Sequence, residues 1–154
     1  MPISNKKVVR WIILAPILGF FAIQLVPAWL LQRNPPALAE PAWDSPATRA
    51  LAQRACFDCH SNETVWPWYS RIAPASWLAV SDTVRGRLHL NFSEWGVASR
   101  FGEESRGEGS RELIHVLEEG EMPPASYLLL HPEAKLTADE LALLVAGFEA
   151  TFGR

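Results

Sequence analysis

The sequence predicts an all-α fold, in which a small helical domain follows one N-terminal membrane-spanning helix. Three observations lead to this prediction. An uncharged apolar run occupies residues 11–31, apolar side chains recur at helical spacing in two later segments, and no later segment alternates as a strand would. With 154 residues, the chain has room for one small domain besides that helix.

The apolar run from Trp11 to Leu31 predicts a transmembrane anchor. A helix of this length, rising about 1.5 Å per residue, would span roughly 30 Å, the thickness of a bilayer core. Three cations precede the run, at Lys6, Lys7 and Arg10, and only Arg33 follows it closely. The positive-inside rule therefore places residues 1–10 in the cytoplasm and the rest of the chain on the outer, periplasmic or extracytoplasmic, side of the inner membrane.

A cleaved signal peptide is the alternative interpretation of the same run. Ala37-Leu38-Ala39 fits the small-residue pattern of a cleavage site. The apolar run is long for a signal peptide, and polar and proline residues intervene before the site. These features favour an uncleaved anchor.

Residues 32–44 are rich in proline and predict a stiff linker, so that residues 45–154 form the domain. Of the 14 Lys and Arg residues, 11 follow the anchor, together with all 17 Asp and Glu, which gives this part a charge of about −6. Nucleic acid is therefore excluded as a partner, and a protein with a basic face is favoured.

Four helices are predicted in the domain. The first runs from Pro46 to about Cys59 behind a Ser45 cap, with small residues at Ala47, Ala50 and Ala55 for close packing. The second runs from Pro74 to about Leu90 and repeats apolar residues at Trp77, Val80, Val84 and Leu88.

Residues 61–73 are predicted as loop, and glycines 102, 107 and 109 indicate a flexible connection. The third helix covers about Ser110 to Glu119 and stops at Gly120. The last helix runs from Ala138 to about Phe152 behind a Thr137/Glu140 capping box. Its apolar face comprises Leu141, Leu144, Val145, Phe148 and Phe152.

Both cysteines of the chain lie in the pattern Cys56-x-x-Cys59-His60, which is typical of c-type haem attachment. Two thiols at this spacing can add to the two vinyl groups of one haem, and the adjacent histidine can then ligate the iron. The motif predicts one covalent haem c. A structural zinc site would need a second ligand pair, a thioredoxin-like pair would need a βαβ context, and a plain disulfide would leave His60 unexplained.

The residues after the motif predict a haem pocket. Trp66, Trp68 and Tyr69 follow His60 closely and can cover the porphyrin, while Trp77 can pack against it or simply in the core. Arg71 is the nearest cation for a propionate, and a solvated surface position is its alternative. The second nitrogen of His60 needs an acceptor, for which the carbonyls of Pro67 and Pro74 are candidates.

Met122 is the predicted sixth iron ligand, because it is the only methionine besides Met1. It follows the Gly120 helix stop, and Pro123 keeps it out of the helical conformation. A core methionine without iron contact is the alternative interpretation. His131, and less favourably His89, would replace it as the ligand, whereas His115 is predicted to face solvent.

Four blocks of the sequence resemble the single-haem "haem-binding domain" family of bacterial membrane-anchored c-type cytochromes. They are CFDCHSNETVWPWYS, IAPASWL, GRLHLNFSEW and GEMPPASYLLLHPEAKLT, and the resemblance extends from about Gln32 to the end of the chain. It implies a class I cytochrome c-like domain with haem c on Cys56 and Cys59 and with His60 as ligand. Relatives often carry a histidine soon after the SWL block, where this chain reads Ala79-Val80-Ser81-Asp82.

Two classes of function fit these features. The first is an electron carrier tethered to the membrane, which exchanges electrons with a protein partner, including a respiratory membrane complex of which it could be a subunit. The second is a haem enzyme or sensor, peroxidase-like or gas-binding, with an open iron position. No histidine comes with a catalytic constellation, so the sequence favours the carrier over an enzyme.

Overall fold

The computed structural model describes residues 5–96 and 108–152. Within these residues the chain is helical and contains no strand, which confirms the predicted all-α class. One isolated parallel bridge joins Ala39 and Glu94. The chain divides into two compact units, one formed by residues 1–33 and 66–82 and the other by residues 34–65 and 83–154.

The first unit begins with helix α1, Asn5–Ile23, which contains Pro16. A turn follows, and a 3-10 helix covers Ala28–Leu31. The segment Val8–Leu31, which contains the predicted apolar run, has a mean hydropathy of 2.0 and is long and apolar enough to cross a membrane. The predicted run to Leu31 is therefore not one continuous helix, because the α-helix ends before Pro27. The residue that precedes a proline is disfavoured in the helical conformation.

The remainder of the first unit contains a 3-10 helix at Trp68–Arg71, inside the predicted loop, and the first half of helix α4, Ala75–His89. The predicted second helix is thus confirmed within a residue at each end. Its predicted apolar face is not a buried one, since Val80 is buried whereas Trp77, Val84 and Leu88 are exposed.

The second unit begins with helices α2, Pro46–Ala55, and α3, Phe57–His60. The Ser45 hydroxyl accepts a hydrogen bond from the Thr48 amide at 3.1 Å, as the predicted cap requires. The predicted helix to Cys59 is interrupted at Cys56, whose φ of −124° lies outside the helical region. The motif is therefore a separate helical turn.

Helix α5, Glu108–Glu118, helix α6, Ala125–Leu128, and a 3-10 turn, Pro132–Ala134, lead to helix α7, Ala138–Phe152. The capping box of α7 is confirmed by hydrogen bonds in both directions between Thr137 and Glu140. Of the predicted glycine connection, positions 102 and 107 lie outside the described residues, and Gly109 lies within α5.

The core of the second unit lies between α2, α5 and α7. Its buried members include Ala52, Phe57, Phe92, Leu117, Leu144 and Phe148, and Leu141 and Val145 of the predicted α7 face pack against them. Helices α2 and α7 approach closely at Thr48 and Gly147, where a methyl group on the glycine would overlap the threonine side chain. The predicted small contacts Ala47 and Ala50 are exposed instead, so Thr48, Ala52 and Ala55 form the buried face of α2.

The predicted linker takes part in this core rather than acting only as a spacer. The amides of Leu38 and Ala39 donate to the Ser93 carbonyl, and the Trp95 amide donates to the Ala39 carbonyl at 2.9 Å. Trp43 packs its ring 5.3 Å from that of Phe92. Residues 34–44 therefore belong to the same compact unit as the cysteine motif.

Candidate functional site

Both cysteines and His60 lie on one turn of backbone. The Cys56 carbonyl accepts hydrogen bonds from the amides of Cys59, at 3.2 Å, and His60, at 2.9 Å. Residues three positions apart on a helical turn are neighbours, so both sulfurs belong to one side of the turn. The cysteines form no disulfide, and both are partly buried.

The ring of His60 is oriented by two backbone carbonyls. Its Nδ1 lies 3.0 Å from the Gly86 oxygen and 3.2 Å from the Leu90 oxygen, so this nitrogen carries the proton. The Nε2 atom then keeps its lone pair, as a metal ligand requires. Burial lowers the pKa of His60, which favours this neutral form.

The prediction that a proline carbonyl accepts from His60 is wrong. The Pro67 carbonyl accepts from the amide and hydroxyl of Ser70, and the Pro74 carbonyl accepts from the Trp77 amide. The carbonyls near the C-terminal end of α4 take this role instead.

Desolvation raises the pKa of the Cys56 thiol to about 12, and the neighbouring Cys59 contributes to this rise. The thiol is therefore neutral near pH 7. Its S–H bond remains available for addition to an alkene, and the sulfur is a poor thiolate ligand for a metal ion in this form.

Helix α4 contacts the motif turn at Gly86. A methyl group at this position would lie 2.9 Å from the carbonyl carbon of Cys59, so only glycine lets the two backbones meet. One residue later, the Arg87 guanidinium donates to the Ser61 carbonyl at 2.7 Å and to the Thr64 hydroxyl at 2.8 Å. This part of α4 therefore fixes both His60 and the chain that follows it.

Asp58, between the two cysteines, ties the motif to distant parts of the second unit. Its carboxylate accepts from the Val65 amide at 2.8 Å and from the Tyr127 hydroxyl at 2.7 Å. Asp58, Gly86, Arg87 and Tyr127 were not among the predicted site residues. The sequence signals for them were the position of Asp58 inside the motif, of Gly86 and Arg87 at the start of the block GRLHLNFSEW, and of Tyr127 in the block after Met122.

Met122 directly follows the end of α5. Gly120 has a φ of +69°, its amide donates to Leu117, and the Glu121 amide donates to the Val116 carbonyl at 2.9 Å. This is a Schellman motif, and it confirms the predicted glycine stop. The Met122 side chain is 39% exposed, and five residues later Tyr127 bonds to Asp58 in the cysteine turn.

The aromatic residues predicted for the pocket belong to the first unit, together with the apolar run. Trp68 is exposed and packs edge-on against Tyr69, and Arg71 and Pro74 are also exposed. The Trp77 indole donates to the Val26 carbonyl at 3.3 Å, and the buried Trp66 indole N–H has no hydrogen-bond partner in the described structure. Their contact with haem stays a prediction.

The remaining histidines differ in their surroundings. His89 and His115 are exposed, as predicted for His115. His131 stacks on Tyr127 with ring centroids 4.2 Å apart, and its Nδ1 lies 2.9 Å from the Glu133 carboxylate. Among residues 5–96 and 108–152, no group of three or more His, Cys, Asp or Glu residues is arranged to hold a metal ion.

This arrangement fits a covalently held haem. Two thiols share one turn, a neutral histidine presents a lone pair, and its other nitrogen is held by carbonyls. The model of a family described as "Haem-binding domain" matches residues 18–150. No curated protein and no solved structure matches the chain.

Proposed function

Because the chain belongs to the haem-binding domain family, we propose that it is a membrane-tethered monohaem c-type cytochrome that carries single electrons. The observation that carries this proposal is the helical turn Cys56–His60, with the His60 Nδ1 bonded to Gly86 and its Nε2 left for iron. Each thiol would add across one vinyl group, sulfur to one carbon and hydrogen to the other, with no change in electron count.

The bound haem would supply an iron that accepts and releases one electron. The chain's own residues would keep that iron in a constant environment. The carbonyls of Gly86 and Leu90 hold the imidazole in one tautomer and orientation, and the Asp58–Tyr127 hydrogen bond fixes the turn that carries the sulfurs. A ligand set that does not rearrange favours rapid electron transfer over reaction with small molecules.

Met122 is proposed as the sixth ligand. The Schellman motif at Gly120 fixes where its segment leaves α5, and the Tyr127–Asp58 bond ties the same segment to the cysteine turn. A thioether is a soft ligand that raises the reduction potential of a His-ligated haem. His131 is the substitute ligand if the thioether is not used.

The proposed location is the outer side of the inner membrane. Support comes from the apolar run Trp11–Leu31, which lies within the candidate membrane span Val8–Leu31, and from the cations Lys6, Lys7 and Arg10 before the run. Protease added to cells with an opened outer barrier should then digest the haem domain. The proposed partner is a redox protein with a basic face, since the part after the anchor is acidic.

The test of the cofactor uses the full chain, matured in a host that attaches haem c. Haem should stay with the protein after denaturation and acid-acetone extraction. Cys56→Ala and Cys59→Ala should each leave at most one thioether bond and lower the yield of holoprotein sharply. Complete extraction of haem from matured wild-type protein would refute the proposal.

The test of ligation uses Met122→Ala, with Leu129→Ala as a matched control. Leu129 is a more exposed apolar side chain, at 83%, seven residues later. Wild type and control should show the weak long-wavelength sulfur-to-iron band and resist carbon monoxide. Met122→Ala should lose the band, have a lower reduction potential and bind carbon monoxide. Rapid binding of carbon monoxide by wild type would instead favour the enzyme or sensor.

A further inference from the structure

We propose that residues 66–82 form a lipid-binding surface that lies in the interfacial layer of the membrane and covers the end of the apolar run. This inference rests on the proposed membrane anchor. It concerns the first unit alone, in which both segments lie. Its partner is the phospholipid bilayer.

The anchor needs such a cover, because its helix is short. The apolar part of α1, Trp11–Ile23, rises only about 20 Å at about 1.5 Å per residue, whereas the hydrocarbon core of a bilayer is about 30 Å thick. The apolar run continues to Leu31, but as a turn and a 3-10 helix. Irregular backbone at membrane depth is tolerated only where protein satisfies its polar groups.

Ala73 and Trp77 pair with two polar groups of the run, the Gln24 side chain and the Val26 carbonyl. The Gln24 side chain and the Ala73 backbone bond reciprocally, Nε2 to the Ala73 carbonyl at 3.1 Å and the Ala73 amide to Oε1 at 2.9 Å. The Trp77 indole donates to the Val26 carbonyl at 3.3 Å. Because Gln24 and Val26 lie within the apolar run, the residues bonded to them lie at the same depth.

The large exposed side chains of residues 66–82 are of kinds found at membrane interfaces. Trp68 is 76% exposed, Leu78 64% and Ile72 41%, although each is large and apolar. Tryptophan concentrates at the headgroup level, and an arginine such as the exposed Arg71 extends its charge toward phosphates. In water this apolar surface would stay exposed, which is unfavourable, whereas lipid would bury it.

An open depression of about 340 Å³ continues this surface. Its lining is almost wholly apolar and includes Val26, Leu31, Trp77 and Val80. An apolar depression is covered more favourably by hydrocarbon than by water. We therefore assign it to a phospholipid acyl chain.

The experiment uses the full, haem-loaded chain in vesicles of phosphatidylethanolamine and phosphatidylglycerol that contain a phospholipid with a photoreactive acyl chain. After irradiation and proteolysis, mass spectrometry should find lipid adducts on peptides from both 8–31 and 66–82. Adducts on 8–31 alone would overturn the lipid surface but leave the anchor. Absence of adducts on 8–31 would refute the anchor itself.

Charged variants test the surface residues. Trp68→Glu and Leu78→Glu should each reduce adducts on 66–82 several-fold and leave those on 8–31 unchanged. The matched control is Leu143→Glu on α7, which also replaces an exposed leucine. Unchanged adducts in both surface variants would overturn the assignment, and the wild-type adduct map decides the proposal even if a variant fails to fold.

Discussion

Replacing Gly86 by alanine tests how α4 holds the proposed haem ligand. A methyl carbon on Gly86 would lie 2.9 Å from the carbonyl carbon of Cys59 and 3.0 Å from its Cβ, whereas ordinary contact begins at 3.4 Å. The Cys59 carbonyl oxygen would lie closer still, so the two backbones must separate by more than about 0.5 Å. The same shift would stretch the contact between the Gly86 oxygen and His60 Nδ1, now 3.0 Å, beyond hydrogen-bonding distance.

The change in the free energy of unfolding is the sum of one stabilising and two destabilising effects. Alanine gains about 1 kcal/mol over glycine within a helix. Overpacking against a backbone that cannot easily yield costs about 1–3 kcal/mol. A lost hydrogen bond costs about 0.5–1.5 kcal/mol, partly offset because Leu90 remains as a second acceptor. The free energy of unfolding should therefore fall by about 2 kcal/mol, which lowers the melting temperature of a domain of this size by roughly 5–10 °C.

The assay compares melting temperature and reduction potential for wild type, Gly86→Ala and Gly147→Ala. The control also adds a methyl to a tight helical glycine, 2.9 Å from the Thr48 Cβ, but away from the motif. Both variants should melt lower, and only Gly86→Ala should raise the potential, because a weaker hydrogen bond makes His60 a poorer donor to iron. An undiminished melting temperature in Gly86→Ala, or equal potential shifts in both, would refute the reasoning.

Two further predictions concern side-chain hydrogen bonds in the second unit. Tyr127→Phe should destabilise the protein by about 1–2 kcal/mol, because the Asp58 carboxylate loses a charge-assisted hydrogen bond. Chemical denaturation should detect this loss. An unchanged stability would show that the 2.7 Å contact between the Tyr127 hydroxyl and the Asp58 carboxylate contributes nothing. Glu40→Gln should cost about 1 kcal/mol at pH 7, because it weakens the paired hydrogen bonds to Arg49. The Arg49 guanidinium lowers the pKa of Glu40 below 4.5, so wild type should lose this advantage as the pH falls from about 4.5 through that lowered pKa. A difference between wild type and Glu40→Gln that persists at lower pH would contradict this origin.

The sequence by itself determined the features that depend on residues close together along the chain. The Ser45 cap, the Thr137/Glu140 capping box and the Gly120 stop each involve groups within a few residues, so their residue types suffice to predict them. The same holds for the apolar run and for the cysteine motif, whose spacing is itself the signal. The apolar face of α7 followed from its period, because that helix packs on the core along most of its length.

Tertiary structure decided what lies opposite each local element. The His60 ring bonds to carbonyls 26 and 30 residues away, and Asp58 bonds to a tyrosine 69 residues away. Every residue carries a carbonyl, so no residue type marks the one that will meet His60. Helix packing selects it, and Gly86 permits the approach because it has no side chain.

Burial was likewise decided by packing. Period alone predicted an inward face for α4, yet Val84 and Leu88 are exposed, and on α2 the buried positions are Thr48 and Ala52 rather than Ala47 and Ala50. A hydrophobic period states which residues share a face of a helix. Only the position of a neighbouring helix, a membrane or a cofactor determines whether that face is covered, because burial depends on what meets the face and not on the side chains alone.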